Sequence, residues 1–126
     1  MDPFYPTETN HRPQLGLALS GGASRGVAHI GVLKAFSEQN IPIGMLSGTS
    51  IGALVAAFHA FGVSNADMFQ EAAEMSWMSV SSFSPTRSAL LSNRVIGELI
   101  EKRIGKVNIE EAPIPLAIIT TDIGTG

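Results

Sequence analysis

Two short glycine-containing segments constrain this chain more than any other feature of its sequence. The first spans 20–26 and reads SGGASRG, and the second spans 47–52 and reads SGTSIG. Each follows a short apolar run that suits a buried parallel strand, and each precedes a segment of helical character. Because open α/β sheets place their sites at the carboxyl ends of strands, both segments are candidates for a functional site.

The first half of the chain therefore predicts two strand–helix units. Strands are expected at 15–19 and 41–46, and 47–52 is expected to be a sharp turn. Apolar residues recur about every three positions after Gly26, which predicts a helix that ends near Asn40. The segment 53–61 is apolar on nearly every side, so it predicts a helix buried at the centre of the domain.

The second half predicts three further elements and one loop. A helix capped by Ser64 or Asn65 is expected first, followed by a serine-rich loop over 76–92. An amphipathic helix over 93–104 and an apolar strand over 115–121 complete the series. This order predicts an α/β fold with a parallel sheet. The helix capped by Ser64 or Asn65 carries three carboxylates on one face that we expect to be solvated, namely Asp67, Glu71 and Glu74.

Composition excludes several classes of protein. The 126 residues fit one domain, and 15% charged with 44% hydrophobic residues is incompatible with disorder of the whole chain. A formal net charge of -3 argues against nucleic acid as a partner. The absence of cysteine excludes thiolate chemistry, and the three histidines lack metal-ligand spacing, so neither metal nor cofactor is expected.

Location follows from the apolar segments. The longest apolar stretch, 51–63, is interrupted by His59 and is shorter than the roughly 20 residues that span a bilayer. Residues 1–13 are polar and proline-rich, which predicts a flexible leader without a signal core, and 14–126 would form the domain. A cytoplasmic protein is expected, with peripheral membrane contact as the open alternative.

The stronger chemical signal is the Gly-x-Ser-x-Gly pattern centred on Ser50. A nucleophilic serine must project from a tight strand-to-helix turn, where Gly48 and Gly52 relieve crowding of the backbone. The following helix directs its N-terminal dipole at the same point, and the N–H of Ile51 can bind an oxyanion. Ser50 is therefore the candidate nucleophile, and the alternative is a tight turn with a capping serine.

The first glycine segment, 20–26, has three possible functional or structural interpretations. Its backbone N–H groups could cradle a negatively charged oxygen. A dinucleotide site would need an acidic residue about 20 positions on, where this chain has 47–50, SGTS. The third reading is a glycine-rich turn without a ligand.

Taken together, the two segments resemble a known family. LALSGGASRGVAHIGVL over 17–33 and GTSIGA over 48–53 resemble the patatin-like phospholipases, and specifically the bacterial branch similar to the catalytic domain of neuropathy target esterase. PLAIITTDIGTG over 115–126 resembles the next strand of these proteins. The resemblance implies a patatin-type three-layer α/β/α sandwich with a mainly parallel sheet, of which this chain is the N-terminal, truncated portion.

The resemblance also implies a function and a set of site residues. It implies a serine lipid acyl hydrolase with a Ser–Asp dyad, in which Ser50 is the nucleophile and phospholipids, lysophospholipids or related acyl esters are substrates. The oxyanion donors would be the N–H groups of Gly21, Gly22 and Ala23. Arg25 would brace the loop or meet a lipid phosphate. Ala23 replaces a residue that is most often glycine in the family, which is tolerable if its φ is not positive.

One departure from the family pattern concerns the base. The dyad aspartate of the family lies in a D-G-G or D-G-A motif that these 126 residues lack, and Asp122 matches a different position. A serine without a base is a weak nucleophile, so the chain alone is expected to be a fragment with little or no activity. A non-catalytic patatin-like binding module and, less favoured, a nucleotide-binding domain are the alternatives.

Three further features have a structural and a functional interpretation. His29 and His59 are expected to be structural rather than catalytic. An apolar, methionine-rich zone is read as core, with acyl-chain entry or membrane contact as the alternative; it comprises Met68, Met75, Trp77, Met78 and Phe83. If the remaining strands of the sandwich lie outside this chain, the sheet has an unpaired edge, through which the chain is expected to self-associate.

Overall fold

A computed structural model describes residues 15–81 and 93–126. The strands are β1 (Leu15–Leu19), β2 (Ile43–Thr49) and β3 (Leu116–Ile119). The helices are α1 (Val27–Glu38), α2 (Ile51–Ala60), α3 (Asn65–Ser81) and α4 (Asn93–Ile104). Two short 3-10 segments, Ala23–Gly26 and Ile109–Glu111, precede α1 and β3.

The three strands form one parallel sheet in the order β1-β2-β3, as the alternation of strands and helices predicts. Leu46 of β2 lies beside Leu17 of β1 on one side and Leu116 of β3 on the other. Each strand is followed by a connection that leaves the sheet at its carboxyl end. The glycine-rich segment after β1 and Ser50 after β2 therefore meet at the same edge.

The core lies between one face of the sheet and the helices. Leu33 of α1 and Leu46 of β2 are fully buried, and Phe58 of α2 packs in the same cluster. Most of α2 is buried, which confirms the prediction from its apolar composition. Met68 of α3 belongs to this core and Met75 packs against it. The side chains of Trp77, Met78 and Phe83 lie outside the described part.

The opposite face of the sheet is open within the described residues. Side chains alternate along a strand, so Met45 and Thr49 of β2 point away from the core, as do Ala18 of β1 and Ile119 of β3. Met45 is 57% exposed and Ile119 is 59% exposed. β1 and β3 each have one strand neighbour in the described sheet.

Several predicted boundaries were right. Both β1 and α4 have the predicted bounds, and α1 ends at Glu38, two residues before Asn40, which takes up a left-handed conformation. Ser64 precedes α3 and accepts a hydrogen bond at Oγ from the N–H of Asp67 at 3.1 Å, as expected of a cap. Gly62 and Gly105 follow α2 and α4 with positive φ angles.

Two boundary predictions were wrong by three residues or more, whereas the predicted bounds of α2 and β3 differ from the observed ones by one or two residues at each end. β2 runs from Ile43 to Thr49 instead of 41–46, so the predicted turn over 47–52 contracts to Ser50 alone. Pairing with strands on both sides overrides the turn preference of Ser47 and Gly48. The helix α3 continues to Ser81, where a loop from 76 was predicted, because serine costs a helix only a few tenths of a kcal/mol. Residues 82–92 of that predicted loop lie outside the described part.

The predicted solvated face of α3 was also wrong at its centre. Glu71 is 5% exposed and accepts hydrogen bonds from Lys102 at 3.0 Å and from Arg103, both on α4. Arg103 also reaches Asp67 at 3.2 Å. The spacing of carboxylates along α3 shows that they share a face but not that α4 covers it.

Candidate active site

Ser50 is the single residue between β2 and α2, and its backbone is strained. Its φ of 53° and ψ of -128° belong to a region that residues with a side chain rarely adopt, at a cost of about 1–3 kcal/mol. The residue is exposed, and its side chain makes no capping hydrogen bond to α2. The hydroxyl is therefore not used in the way that a capping serine uses it.

Two glycines make this turn sterically feasible. A Cβ atom on Gly48 would lie 2.5 Å from the carbonyl oxygen of Gly52. A Cβ atom on Gly52 would lie 2.5 Å from the carbonyl oxygen of Ser20. Both separations are far below a van der Waals contact, so any side chain would push α2 away from β2 or from the end of β1. The predicted role of both glycines in close packing agrees with this geometry.

The glycine-rich segment after β1 approaches Ser50 directly. A Cβ atom on Gly21 would lie 3.3 Å from the Cβ atom of Ser50. Gly26 is buried against Ile51, and a Cβ there would lie 2.7 Å from its Cγ2 atom. The two segments that the sequence singled out thus form one site. Gly26 is a packing residue of that site which the sequence did not single out, although it repeats the glycine pattern.

Several backbone N–H groups in the segments around Ser50 have no hydrogen-bond acceptor among the described residues. Within residues 15–81 and 93–126, no hydrogen bond is donated by the N–H groups of Gly21, Gly22 and Ala23. The N–H of Ile51 is one of the first of α2 and likewise has no acceptor in that part of the chain. The N-terminus of α2 adds a positive partial charge beside the Ser50 hydroxyl. These donors and the helix N-terminus are the groups that would be available to a negatively charged oxygen near the Ser50 hydroxyl.

Ala23 has a φ of 50°, so the condition under which alanine would be harmless is not met. The left-handed conformation costs a residue with a Cβ roughly 1–2 kcal/mol. The residue begins the 3-10 segment, is exposed and follows Gly22, which carries no side chain. The strain is therefore local to the loop, where glycine would relieve it.

Arg25 braces the loop through its backbone, since its N–H donates to the carbonyl oxygen of Gly22 at 3.0 Å. The residue is exposed. Its side chain makes no hydrogen bond or ion pair to any described residue. A role for the guanidinium toward an anionic ligand is compatible with this position, whereas bracing through the side chain is not observed.

The two histidines of the described part have different environments. Nε2 of His29 lies 2.8 Å from the carbonyl oxygen of Ser20, at the start of the glycine-rich segment. His59 is half-buried on α2, and burial lowers the pKa of its imidazole. Their expected structural roles agree with these positions. The contact of His29 with the loop was not predicted, because nothing in the spacing indicates which way the side chain points.

Asp122 is engaged by its own turn. Its Oδ1 accepts a hydrogen bond from the N–H of Gly124 at 2.7 Å. That bond, with further ones from Thr125, lowers the pKa of the carboxyl. No hydrogen bond joins Asp122 to Ser50. In the described ranges, no group of three or more acidic or histidine side chains could hold a metal ion.

A shallow cleft of about 280 Å³ opens beside the site on the uncovered face of the sheet. Its walls come from the carboxyl ends of all three strands and include Ala18, Ser20, Thr49 and Ile119. Thr49 also ties β2 to β3, because its Oγ1 donates to the carbonyl oxygen of Ile119 at 3.4 Å. A second cavity, of about 430 Å³, lies at the end of α4, and no serine or threonine among the described residues lines it.

Comparison with known proteins decides the family. The family model described as Patatin-like phospholipase matches residues 17–125. The chain belongs to the patatin-like phospholipase family. It therefore has part of the α/β patatin fold, and its small parallel sheet with flanking helices agrees with that fold. Membership also disfavours the nucleotide-binding alternative.

Curated relatives of this patatin-like chain include the neuropathy target esterase sws of two flies. The protein of Drosophila persimilis is 38% identical over 115 residues, which cover 86% of this chain and 8% of the relative. The protein of Drosophila melanogaster is 36% identical over the same span and coverage. The chain thus spans less than a tenth of the length of these relatives.

In the described ranges, no helix is long and apolar enough to cross a bilayer.

Proposed function

We propose that this chain carries the nucleophile and the oxyanion donors of a serine lipid acyl hydrolase. The observation that carries the proposal is the close approach of Gly21 to the strained Ser50 turn, where a Cβ atom added to Gly21 would lie 3.3 Å from the Cβ atom of Ser50. A strained residue persists only where the surrounding structure enforces it, and such residues concentrate at functional sites. Family membership and relatives named as esterases support ester hydrolysis.

In the proposed reaction, the Oγ of Ser50 attacks the carbonyl carbon of an acyl ester as its proton passes to a base. The negative charge that develops on the carbonyl oxygen is stabilised by N–H groups of Gly21, Gly22, Ala23 and Ile51. Collapse of the tetrahedral intermediate breaks the bond to the alcohol, which takes the proton, and leaves an acyl ester on Ser50. Water then hydrolyses this ester, and the acid is released.

We propose that the base is the aspartate of a Ser–Asp dyad and that it lies outside these 126 residues. Asp122 does not fit the role, because its carboxylate accepts hydrogen bonds within its own turn. On this proposal the 126-residue chain alone has little or no activity. A non-catalytic patatin-like binding module is the second candidate, favoured by the same lack of a base hydrogen-bonded to Ser50 among the described residues.

The proposed substrates are phospholipids, lysophospholipids or related acyl esters. The cleft beside Thr49 and Ile119 offers an apolar wall to an acyl chain. The exposed Arg25 lies in the loop that holds the oxyanion donors, where it can meet the phosphate of a head group. We propose a cytoplasmic protein that makes peripheral contact with lipid surfaces.

The proposal is tested by hydrolysis of a lysophospholipid by the protein as it is naturally encoded. Ser50→Ala should reduce turnover to background, whereas Ser37→Ala, on the exposed end of α1, should leave turnover unchanged. Turnover that survives in Ser50→Ala would contradict the assignment of the nucleophile. Saturable binding of lipid vesicles without any Ser50-dependent turnover would favour the binding module.

A further inference from the structure

We infer that His29 is a positioning residue that orients the N–H of Gly21 toward the oxyanion site. This inference rests on the proposed function of Ser50. Its evidence is the hydrogen bond between Nε2 of His29 and the carbonyl oxygen of Ser20, at 2.8 Å. A carbonyl oxygen only accepts hydrogen bonds, so this nitrogen carries the proton. The same nitrogen is therefore not available to take a proton from Ser50.

The consequence for Gly21 follows from the geometry of the peptide bond. The carbonyl of Ser20 and the N–H of Gly21 belong to one planar peptide unit, which is trans. In a trans unit the two groups point in opposite directions. His29 of α1 holds the carbonyl oxygen of Ser20 at a point that also adjoins Gly52 of α2, so the N–H of Gly21 is directed away from both residues.

The loop needs such a restraint because its own residues supply little. Rotation of the peptide unit between Ser20 and Gly21 changes the φ of Gly21, and glycine tolerates almost any φ, so this residue offers little steric resistance to the rotation. Gly52 packs against the carbonyl oxygens of Leu19 and Ser20 from α2 but offers them no side-chain donor. His29 is the side chain that donates a hydrogen bond to this unit among the described residues.

The position of Gly21 explains why the direction of its N–H matters for the proposed reaction. Its α carbon carries the Cβ site that lies 3.3 Å from Ser50 Cβ, so its backbone borders the reacting hydroxyl. An oxyanion donor is effective only if it points to the developing charge before the reaction begins. A loop in which this peptide unit rotates would present a carbonyl oxygen to the oxyanion and would repel it.

The inference is tested with three variants of the naturally encoded protein. Glutamine places an amide nitrogen the same number of bonds from Cα as Nε2, so His29→Gln should keep the hydrogen bond. His29→Leu removes the donor, and His59→Gln serves as a control for the loss of a histidine distant in sequence from the loop. His29→Leu should lower kcat about 10- to 100-fold with little change in KM, and His29→Gln should restore it to within a few fold of wild type.

A second readout does not depend on turnover. In protein labelled with ¹⁵N at glycine, the amide signal of Gly21 should shift in His29→Leu and keep its wild-type position in His29→Gln. Equal losses of kcat in both variants, or an unmoved Gly21 signal in His29→Leu, would overturn the inference. If wild type shows no Ser50-dependent turnover, the proposed function fails, while the Gly21 signal still decides whether His29 orients the loop.

Discussion

Gly21 and Ser50 lie so close that a methyl group on Gly21 would stand 3.3 Å from the Cβ of Ser50. The contact joins residues 29 positions apart, each at the carboxyl end of a parallel strand. We expect Gly21→Ala to restrict the Ser50 side chain and to lower kcat about tenfold or more, since an error of about 1 Å in the position of a reacting group can reduce a rate 100-fold.

The matched control for this variant is Gly31→Ala. A Cβ on Gly31 would meet no atom within 4 Å, and the residue lies in the middle of α1. Alanine should stabilise this helix by about 0.5–1 kcal/mol and leave kcat unchanged. Parallel measurement of kcat and of urea unfolding separates the two effects, and equal kcat in wild type and Gly21→Ala would contradict the close approach.

Ala23→Gly should stabilise the protein. Alanine at a φ of 50° bears roughly 1–2 kcal/mol of conformational strain, which exceeds the entropy that glycine loses on folding. The expected gain is about 0.5–1 kcal/mol in the free energy of unfolding. Asn40→Gly, at a φ of 53°, should gain less because asparagine tolerates this region. A lower free energy of unfolding in Ala23→Gly would contradict the strain assigned to the positive φ of Ala23.

The contact of Glu71 with α4 predicts acid lability. Burial alone would raise the pKa of Glu71, but hydrogen bonds from Lys102 and Arg103 and their positive charges outweigh it and hold the pKa below its usual value. A depressed folded-state pKa stabilises the fold above the unfolded pKa, which is about 4.3. The stabilisation is lost as pH falls through the lower, folded pKa.

Urea unfolding between pH 6 and pH 3 measures this effect. Stability should fall below about pH 4.5, and Glu71→Gln should both reduce stability at pH 7, by about 1–3 kcal/mol, and flatten the decline. Glu98→Gln removes an exposed pair with Arg94 at 2.8 Å and should change stability by less than about 0.5 kcal/mol. Equal changes in the free energy of unfolding for the two variants would contradict the prediction that the buried contacts of Glu71 stabilise the fold more than an exposed ion pair.

The open face of the sheet predicts self-association of the 126-residue chain. Ile119 is 59% exposed on β3, whose outer edge has no strand partner in the described sheet. Ile119→Lys should shift the mass measured by light scattering toward the monomer. Ile123→Lys, at a fully exposed position in the turn beyond the sheet, should not. A monomeric wild-type chain at tens of micromolar would contradict this prediction.

Local pattern was sufficient to predict the parts of the fold that depend on local chemistry. The bounds of β1 and α4, the apolar character of α2 and the meeting of the two glycine segments all follow from apolar periodicity and turn residues. The end of β2 does not, because Ser47, Gly48 and Thr49 favour a turn until pairing with β1 and β3 is known. Strand partners are distant in sequence, and no local preference reports them.

The candidate site likewise has residues that local sequence predicts and contacts that it does not. Ser50, Gly48 and Gly52 could be placed from their spacing, because a tight strand-to-helix turn dictates where side chains are excluded. The hydrogen bond of His29 to Ser20, the positive φ of Ala23 and the buried partners of Glu71 could not. Each depends on the direction of one side chain or one backbone angle, which the packing of the whole domain determines.

The most direct test of the central claim is covalent labelling with a fluorophosphonate, which reacts with activated serines. The naturally encoded protein is treated, digested and mapped by mass spectrometry. The account predicts a single major adduct on the peptide that contains Ser50, absent in Ser50→Ala and retained in Asp122→Asn. An adduct on another serine, or no adduct in a protein that hydrolyses acyl esters, would contradict it.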